Sequence, residues 1–164
     1  LQLPEPEMAS PLLLDLASID LDAVAADADR VGQVNPQCGP MRQLDHVIWH
    51  NDIITQGVGL KRVRDDEFWV PYHIPGRPLM PGVMMIEACA QLGSYLYRTK
   101  TPDLPFVGFT RCNETVFRGQ VVPGDTMLIL CDEVESSRRR FISKFQCVVR
   151  DRLVMETTIT GMTF

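Results

Sequence analysis

The sequence of 164 residues predicts an α+β fold: a single domain in which an antiparallel sheet of five to six strands wraps around one long buried helix. The first observation is the segment 81–97, which is apolar on nearly every helical face and is therefore expected to be buried all round. The second is a set of four strand-like segments after Pro102, at 104–116, 125–135, 138–150 and 153–164. One sheet face can cover most of a single apolar helix.

Composition and charge exclude several classes of protein. The net charge of −5 divides into −6 over residues 1–45 and +1 over residues 46–164, so no broadly basic face for nucleic acid is expected. No apolar run approaches the length of a membrane-spanning helix. No basic residue precedes Arg30, which argues against a secretory leader and favours a cytoplasmic location.

The five cysteines are scattered and form no CxxC pair, so they are expected to be reduced thiols, several of them filling the core: Cys38, Cys89, Cys112, Cys131 and Cys147. We predict no metal site. His46 and His50 lie four residues apart, but in a segment predicted to be extended, where that spacing does not bring them together.

The elements before the long helix follow in order. Residues 1–11 are rich in proline and acid and are expected to form a loose arm. The apolar spacing over 19–31 predicts a helix, with Ser18 or Asp20 as its N-cap. A turn is predicted at 35–40, where two prolines and a glycine interrupt regular structure.

Two strands are predicted next, at 44–49 and 53–64, separated by a turn at 50–52. Gly57 and Gly59 interrupt the second strand, which indicates a bulge or a close backbone approach. A charged turn is expected at Asp65–Glu67, before the chain enters its most unusual stretch.

That stretch, residues 72–91, contains three prolines and two glycines within eight residues and then continues into the apolar helix. Pro81 suits the first helical position, because its missing N–H would be unsatisfied there anyway. Glu87, Gln91 and Tyr95 recur every four residues and predict one polar stripe. Gly93 inside the helix indicates tight packing against another element.

Two residues of this stretch carry the chemical hypothesis. A lone histidine such as His73 is more often structural, and Glu87 has a plain explanation if its side of the helix reaches solvent or a partner. Alternatively, a carboxyl group in an apolar helix loses solvation, which favours its protonated form, and it can act as a general acid opposite a histidine base. The N–H groups of Gly82 and Val83 at the helix start can stabilise negative charge on a carbonyl oxygen. Together they suggest proton abstraction beside a carbonyl, with loss of a leaving group.

The stretch closely resembles the signature of the β-hydroxyacyl acyl-carrier-protein dehydratases of the FabZ type, through the pattern His73-x-Pro75-Gly76-x-Pro78-x-x-Pro81-Gly82-Val83-x-x-x-Glu87-Ala88-x-Ala90-Gln91. The segments 122–125 (Val-Pro-Gly-Asp) and 44–47 (Leu-Asp-His-Val) extend the likeness. It covers residues 36–164, which would be the hot-dog dehydratase domain, and leaves 1–35 as an acidic lead segment with the predicted helix. Glu at position 87, where FabA-type relatives have Asp, favours the FabZ type.

The resemblance implies a hot-dog fold, a homodimer as the active unit, with a trimer of dimers left open, and an active site between subunits. His73 would remove the α-proton of a (3R)-hydroxyacyl thioester, and Glu87 of the other subunit would protonate the departing hydroxyl. The Gly82 N–H would polarise the carbonyl, and Gln91 would orient the carboxyl. The product would be a trans-2-enoyl thioester in fatty-acid or lipid biosynthesis. No cofactor is implied beyond the phosphopantetheine of the acyl carrier protein.

The sequence departs from the family pattern beside the base and before the first strand. Tyr72 and Ile74 flank His73 where the family usually has Gly and Phe, and the PHR triplet is Pro36-Gln37-Cys38. The expected aromatic gate appears as Pro105-Phe106. These changes affect chain-length preference more than chemistry, and the candidate residues for the substrate tunnel are Tyr72, Ile74, Pro81, Val83 and Phe106.

Two alternatives stay open: a hot-dog acyl thioesterase, and a non-catalytic acyl-binding subunit. An acidic carrier protein would need a local basic patch on this acidic chain. The candidates, each of which has the plainer explanation of a solvated charge, are Arg98, Lys100, Arg111, Arg118 and the run Arg138–Arg140.

Overall fold

The computed structural model describes residues 10–164. Six antiparallel strands form one sheet in the order β1-β2-β4-β5-β6-β3, and one long helix, α2, packs against it. The strands are β1 His46–His50, β2 Gln56–Arg62, β3 Val107–Phe117, β4 Thr126–Ser136, β5 Arg140–Val149 and β6 Arg152–Thr163, and the helices are α1 Ala28–Val34 and α2 Gly82–Lys100. The predicted fold class is confirmed.

Three glycines let α2 lie close to the sheet. A Cβ atom on Gly57 would lie 2.9 Å from Leu96 Cδ1, and a Cβ atom on Gly93 would lie 2.8 Å from Phe145 Cζ. A Cβ atom on Gly59 would lie 3.3 Å from Leu92 Cδ1 of α2. The predicted close approaches are therefore confirmed. Strand β2 pairs with β4 through Gly57 and Gly59 without a bulge. The expectation that α2 is buried all round is wrong for one side of the helix: Val83 is exposed, and Ile86, Glu87, Ala90 and Ser94 are only partly buried.

Alternation along the strands separates two apolar layers. Met127, Ile129 and Cys131 of β4 lie in the core around α2, as their alternation predicts. Leu130 of the same strand faces the other side of the sheet, where Leu14 of the lead segment packs in a second cluster. The lead segment thus covers part of the outer sheet face, and the chain division at residue 35 stays a prediction.

The helix predicted at 19–31 is wrong in its extent. The backbone groups of Ala26 and Val47 exchange hydrogen bonds, which adds a bridge to β1 and keeps residue 26 extended. Helix α1 begins only afterwards, with Asp27 as the N-cap whose side chain accepts a hydrogen bond from Arg30 N at 2.8 Å. Asp20 instead caps a turn at Asp22. The arm predicted at 1–11 lies outside the described residues up to position 9.

Other boundaries differ by a few residues. The turn after β1 is longer than predicted, because Asn51 Oδ1 accepts hydrogen bonds from Thr55 N and Gln56 N and so delays β2. Pro81 is the N-cap of α2, with ψ of 133°, rather than its first helical residue. The predicted turn at 122–125 is confirmed, with φ of +93° at Gly124.

Cys89, Cys131 and Cys147 are buried and fill the core, as predicted. Burial raises the pKa of the Cys89 and Cys131 thiols. Among the described residues, no helix is both long and apolar enough to cross a membrane.

Candidate active site

The loop before α2 fixes the orientation of His73. Its backbone N–H donates to Trp69 O at 2.8 Å, and its ring Nδ1 lies 2.8 Å from Leu79 O. A carbonyl oxygen only accepts, so Nδ1 carries the proton in this contact. The other ring nitrogen, Nε2, is therefore the one that presents a lone pair when the ring is neutral. The side chain is exposed, so this nitrogen is available to a substrate.

A buried ion pair holds the start of this loop. Lys61 Nζ lies 2.6 Å from Glu67 Oε1, and the two side chains are 0% and 4% exposed. Glu67 O accepts from Val70 N, and the Trp69 side chain is buried two residues further on. The sequence predicted only a charged turn here. The pairing of a strand lysine with a turn carboxylate across the core left no signal in the local pattern.

The loop ends at the start of α2. Gly76 has φ of +79°, which favours glycine, and Met80 N donates to Val121 O at 2.9 Å. Within residues 10–164, the N–H groups of Gly82 and Val83 have no hydrogen-bond partner. These two donors lie at the positive end of the helix dipole and can bind an oxygen that carries negative charge.

Gly82 also leaves no room for a side chain. A Cβ atom on it would lie 2.6 Å from Cε1 of Phe117, in β3. The aromatic ring covers one side of the helix start. A surface groove of about 920 Å³ adjoins this ring, and its rim carries Arg118, Arg150 and Arg152.

Glu87 is held by a network centred on Gln91. The Gln91 amide nitrogen donates to Glu87 Oε1 and to Met41 O, both at 2.7 Å. Its oxygen accepts from the backbone N–H groups of Gln43 at 2.8 Å and Leu44 at 3.1 Å. All four hydrogen-bonding positions of the amide are thus used, and the amide cannot turn without losing several of them. Within the described part of the chain, the carboxyl of Glu87 is hydrogen-bonded through this one oxygen.

A small, partly open cavity of about 50 Å³ lies beside Glu87, between α2 and strands β3, β5 and β6. The oxygen of Gln37 is buried in the same region and accepts no hydrogen bond from the described residues. The cavity is lined by Gln37, Glu87, Ala90, Ser94, Val107, Gly108, Phe109, Phe141, Ile159 and Gly161. Apart from Glu87, the sequence did not single out these residues as a substrate site.

One chain brings some of the predicted site residues together and separates others. Glu87 and Gln91 are hydrogen-bonded, whereas no hydrogen bond joins His73 to Glu87 within residues 10–164, and His73 does not line the cavity beside Glu87. The tunnel candidates lie outside that cavity too: Pro81 caps α2, and the other four are exposed, namely Tyr72, Ile74, Val83 and Phe106.

The open edge of the sheet carries exposed apolar side chains. Strand β3 is an edge strand, paired on one side with β6 alone. Phe109 and Phe117 on this strand are each 50% exposed, and Phe106 and Phe164 lie beside it with ring centroids 6.3 Å apart. An unpaired strand edge with exposed aromatic rings is a surface that another strand can cover.

Several of the basic candidates are engaged within the chain. Lys100 pairs with Glu133, Arg118 with Glu156 and Arg140 with Glu135. Arg98 donates to two backbone carbonyls, whereas Arg111, Arg138 and Arg139 are exposed. Over residues 10–164 no three His, Cys, Asp or Glu side chains are grouped to hold a metal ion.

Comparison with known proteins gives a family and a fold. The FabA-like domain family matches residues 35–158. The dehydratase heterocomplex ApeI:P from Xenorhabdus doucetiae is similar in structure, with a TM-score of 0.70 and 16% identity over 82% of this chain and 90% of that one. A sigma28-regulated virulence protein from Campylobacter jejuni has a TM-score of 0.66 and 13% identity, over 89% and 96% of the two chains.

A hypothetical thioesterase from Streptococcus pneumoniae, solved with coenzyme A, has a TM-score of 0.57 and 13% identity, over 73% of this chain and 84% of that one. At such identities, the likeness to solved structures establishes the shared fold alone. The fold therefore includes proteins described as dehydratases and as thioesterases, and the residues of the site have to decide between them.

Proposed function

This chain belongs to the FabA-like domain family, and on that premise we propose that it is a dehydratase of the FabZ type. Its substrate would be a (3R)-hydroxyacyl thioester of an acyl carrier protein, and its product a trans-2-enoyl thioester and water. In this role the protein is a hydro-lyase of fatty-acid or lipid biosynthesis, acting in the cytoplasm.

The reaction needs a base, an acid and a donor to the thioester carbonyl. Nε2 of His73 takes the proton from Cα, and the electron pair of that C–H bond forms the new double bond. The C–O bond at Cβ breaks, and Glu87 gives its proton to the departing hydroxyl, which leaves as water. The Gly82 N–H stabilises the negative charge that develops on the carbonyl oxygen. A proton passed from His73 back to Glu87 through solvent restores the starting state.

The observation that carries the proposal is the network around Glu87. Gln91 donates to one carboxyl oxygen at 2.7 Å, and the amide is itself fixed by Met41, Gln43 and Leu44. The second carboxyl oxygen is left to deliver a proton, beside a cavity lined by both polar and apolar side chains.

Two features support a homodimer as the active unit. His73 and Glu87 are not hydrogen-bonded in one chain, and His73 is absent from the cavity wall beside Glu87. The edge strand β3 offers an unpaired backbone and exposed aromatic rings to a second copy. Pairing of two copies across this edge would place the histidine of one copy near the glutamate of the other.

The thioester arm would arrive with the acyl carrier protein, so the proposal needs no resident cofactor. The groove beside Phe117 lies next to the Gly82 donor, and Arg152 stands exposed on its rim. Arg150 pairs with Asp125, Arg118 pairs with Glu156, and Asp151 also lines the groove, so docking of an acidic carrier protein there would depend on Arg152. Weaker binding at higher salt is the expected sign.

The test is incubation of the purified protein with 3-hydroxyacyl and with saturated acyl thioesters. The proposal predicts enoyl thioester from the first, measured by absorbance or mass, and no free thiol from the second. His73→Ala and Glu87→Gln are each expected to abolish enoyl formation while the oligomer stays intact. Release of thiol without enoyl product would favour the thioesterase, and binding without turnover of either would favour a non-catalytic acyl-binding subunit.

A further inference from the structure

The cavity beside Glu87 follows α2, and Phe141 forms part of its wall. On α2 it is lined by Glu87, Ala90 and Ser94, which share one helix face and span about 10 Å along the axis. At the end of this path the wall is the ring of Phe141, a residue of β5 that is 3% exposed. An acyl chain that entered beside Glu87 and followed the helix would meet this ring.

Two glycines make room for the Phe141 ring between the helix and the sheet. Gly161 of β6 is the cross-strand partner of Phe141, and a Cβ atom on it would overlap the ring. A Cβ atom on Gly93 of α2 would lie 3.1 Å from Cε2 of the same ring. A side chain at either glycine would displace the phenyl group. The ring therefore lies between helix α2 and the sheet, in a space that exists because neither Gly93 nor Gly161 has a side chain.

The space behind the ring is filled. The ring of Tyr97 lies with its centroid 5.2 Å from that of Phe141, and its hydroxyl donates to Ser137 O at 2.6 Å. Leu104 completes the same apolar cluster. Because this cluster is buried and the tyrosine is fixed by a hydrogen bond, the ring of Phe141 is supported from behind and does not open into a longer channel.

We propose that Phe141 is the floor of the acyl pocket and restricts the enzyme to short 3-hydroxyacyl thioesters, an inference that rests on the proposed dehydratase function. An apolar cavity of roughly 150 Å³ takes one benzene molecule, so a cavity of about 50 Å³ takes an acyl tail of only a few carbons. Hydroxyhexanoyl has three carbons beyond the reacting C3 and fits. Hydroxydodecanoyl has many more and does not.

The experiment compares kcat/KM over a ladder of 3-hydroxyacyl thioesters from hydroxybutyryl to hydroxydodecanoyl. The wild type is expected to prefer hydroxyhexanoyl or shorter chains. Phe141→Ala is expected to raise the ratio of kcat/KM for hydroxydecanoyl over hydroxyhexanoyl by at least about tenfold, the lower end of the effect of one methylene group in an apolar pocket.

Phe145→Ala is the matched control. Phe145 lies on the same strand, is buried to 1% and also contacts Gly93, but it does not line the cavity. Phe145→Ala removes the same side-chain atoms from the core as Phe141→Ala does, so any general loosening of the fold affects both variants. The proposal expects no change in chain-length ratio for Phe145→Ala.

Ser94→Leu gives the opposite perturbation, because it narrows the same cavity from the helix side. It is expected to lower the hydroxyhexanoyl rate relative to hydroxybutyryl, and it carries the test if Phe141→Ala does not fold. A wild type that prefers hydroxydodecanoyl, or equal shifts in Phe141→Ala and Phe145→Ala, would overturn the inference and leave the dehydratase intact. Absence of enoyl product at every chain length would instead refute the proposed function.

Discussion

Replacement of Lys61 by methionine is expected to destabilise the protein more than almost any other single change of a charged residue. Lys61 and Glu67 form an ion pair at 2.6 Å in which both side chains are buried. Methionine fills most of the volume of the lysine stem, so the change removes mainly the charge. A carboxylate is then left in the core with little compensation.

The magnitude follows from what remains around Glu67. Its other contacts are Arg64 N at 3.4 Å and Arg64 Nη2 at 3.7 Å, the latter on a side chain that is 52% exposed. Breaking a buried pair by removing one partner costs about 3–5 kcal/mol, and the weak arginine contacts offset little of that cost. Replacing both partners by apolar groups, in Lys61→Met with Glu67→Leu, is expected to recover most of the loss.

Urea unfolding at one fixed protein concentration measures the effect, since an oligomer's stability depends on concentration. The matched control is Arg140→Ala. Its pair with Glu135 is 48% and 50% exposed, so the expected loss is below about 1 kcal/mol. Lys61→Met that unfolds within about 1 kcal/mol of the wild type, or a double variant no better than the single one, would refute the reasoning.

Three further predictions concern the helix, its neighbour and pH. Gly93→Ala is expected to cost about 1–3 kcal/mol in thermal unfolding, because the new Cβ atom would lie 2.8 Å from Phe145 Cζ. Asp27→Ala removes the cap of α1 and is expected to cost about 1 kcal/mol, with Asp27→Asn nearly neutral. Burial and the charge of Arg62 lower the pKa of His46 below 6.5. As the pH falls, His46 is therefore protonated in the unfolded state before it is protonated in the folded state. The free energy of unfolding should decrease as the pH falls below 6.5, and this decrease should be smaller in His46→Gln.

The sequence was sufficient where the signal was local. Gly93 and the spacing of four between Glu87 and Gln91 lie within α2, and Gly57 and Gly59 lie within β2; the close approaches of these glycines and the Gln91–Glu87 hydrogen bond are present. The helix wrongly extended to residue 19 shows the limit. Its apolar spacing competes with a bridge between Ala26 and Val47, and that competition is settled by tertiary pairing.

The site depends on contacts between distant parts of the chain. Gln43 and Leu44 fix the Gln91 amide from more than forty residues away in sequence. The ring of Phe141 in β5 packs against Gly161 of the neighbouring strand β6 and against Gly93 of helix α2. Neither arrangement leaves a pattern in a single segment, because only the register of the sheet and the depth of the helix bring these residues together.

Mixing two inactive variants tests most directly whether the active site is shared between two copies of the chain. His73→Ala and Glu87→Gln are each expected to form dimers without dehydratase activity. When the two are unfolded together and refolded, half of the dimers are mixed, and a site shared between subunits leaves one of two sites intact in each. Enoyl thioester formation should then return to about a quarter of the wild-type rate. No recovery in a mixture shown by mass to contain mixed dimers would contradict a site built from His73 of one copy and Glu87 of the other.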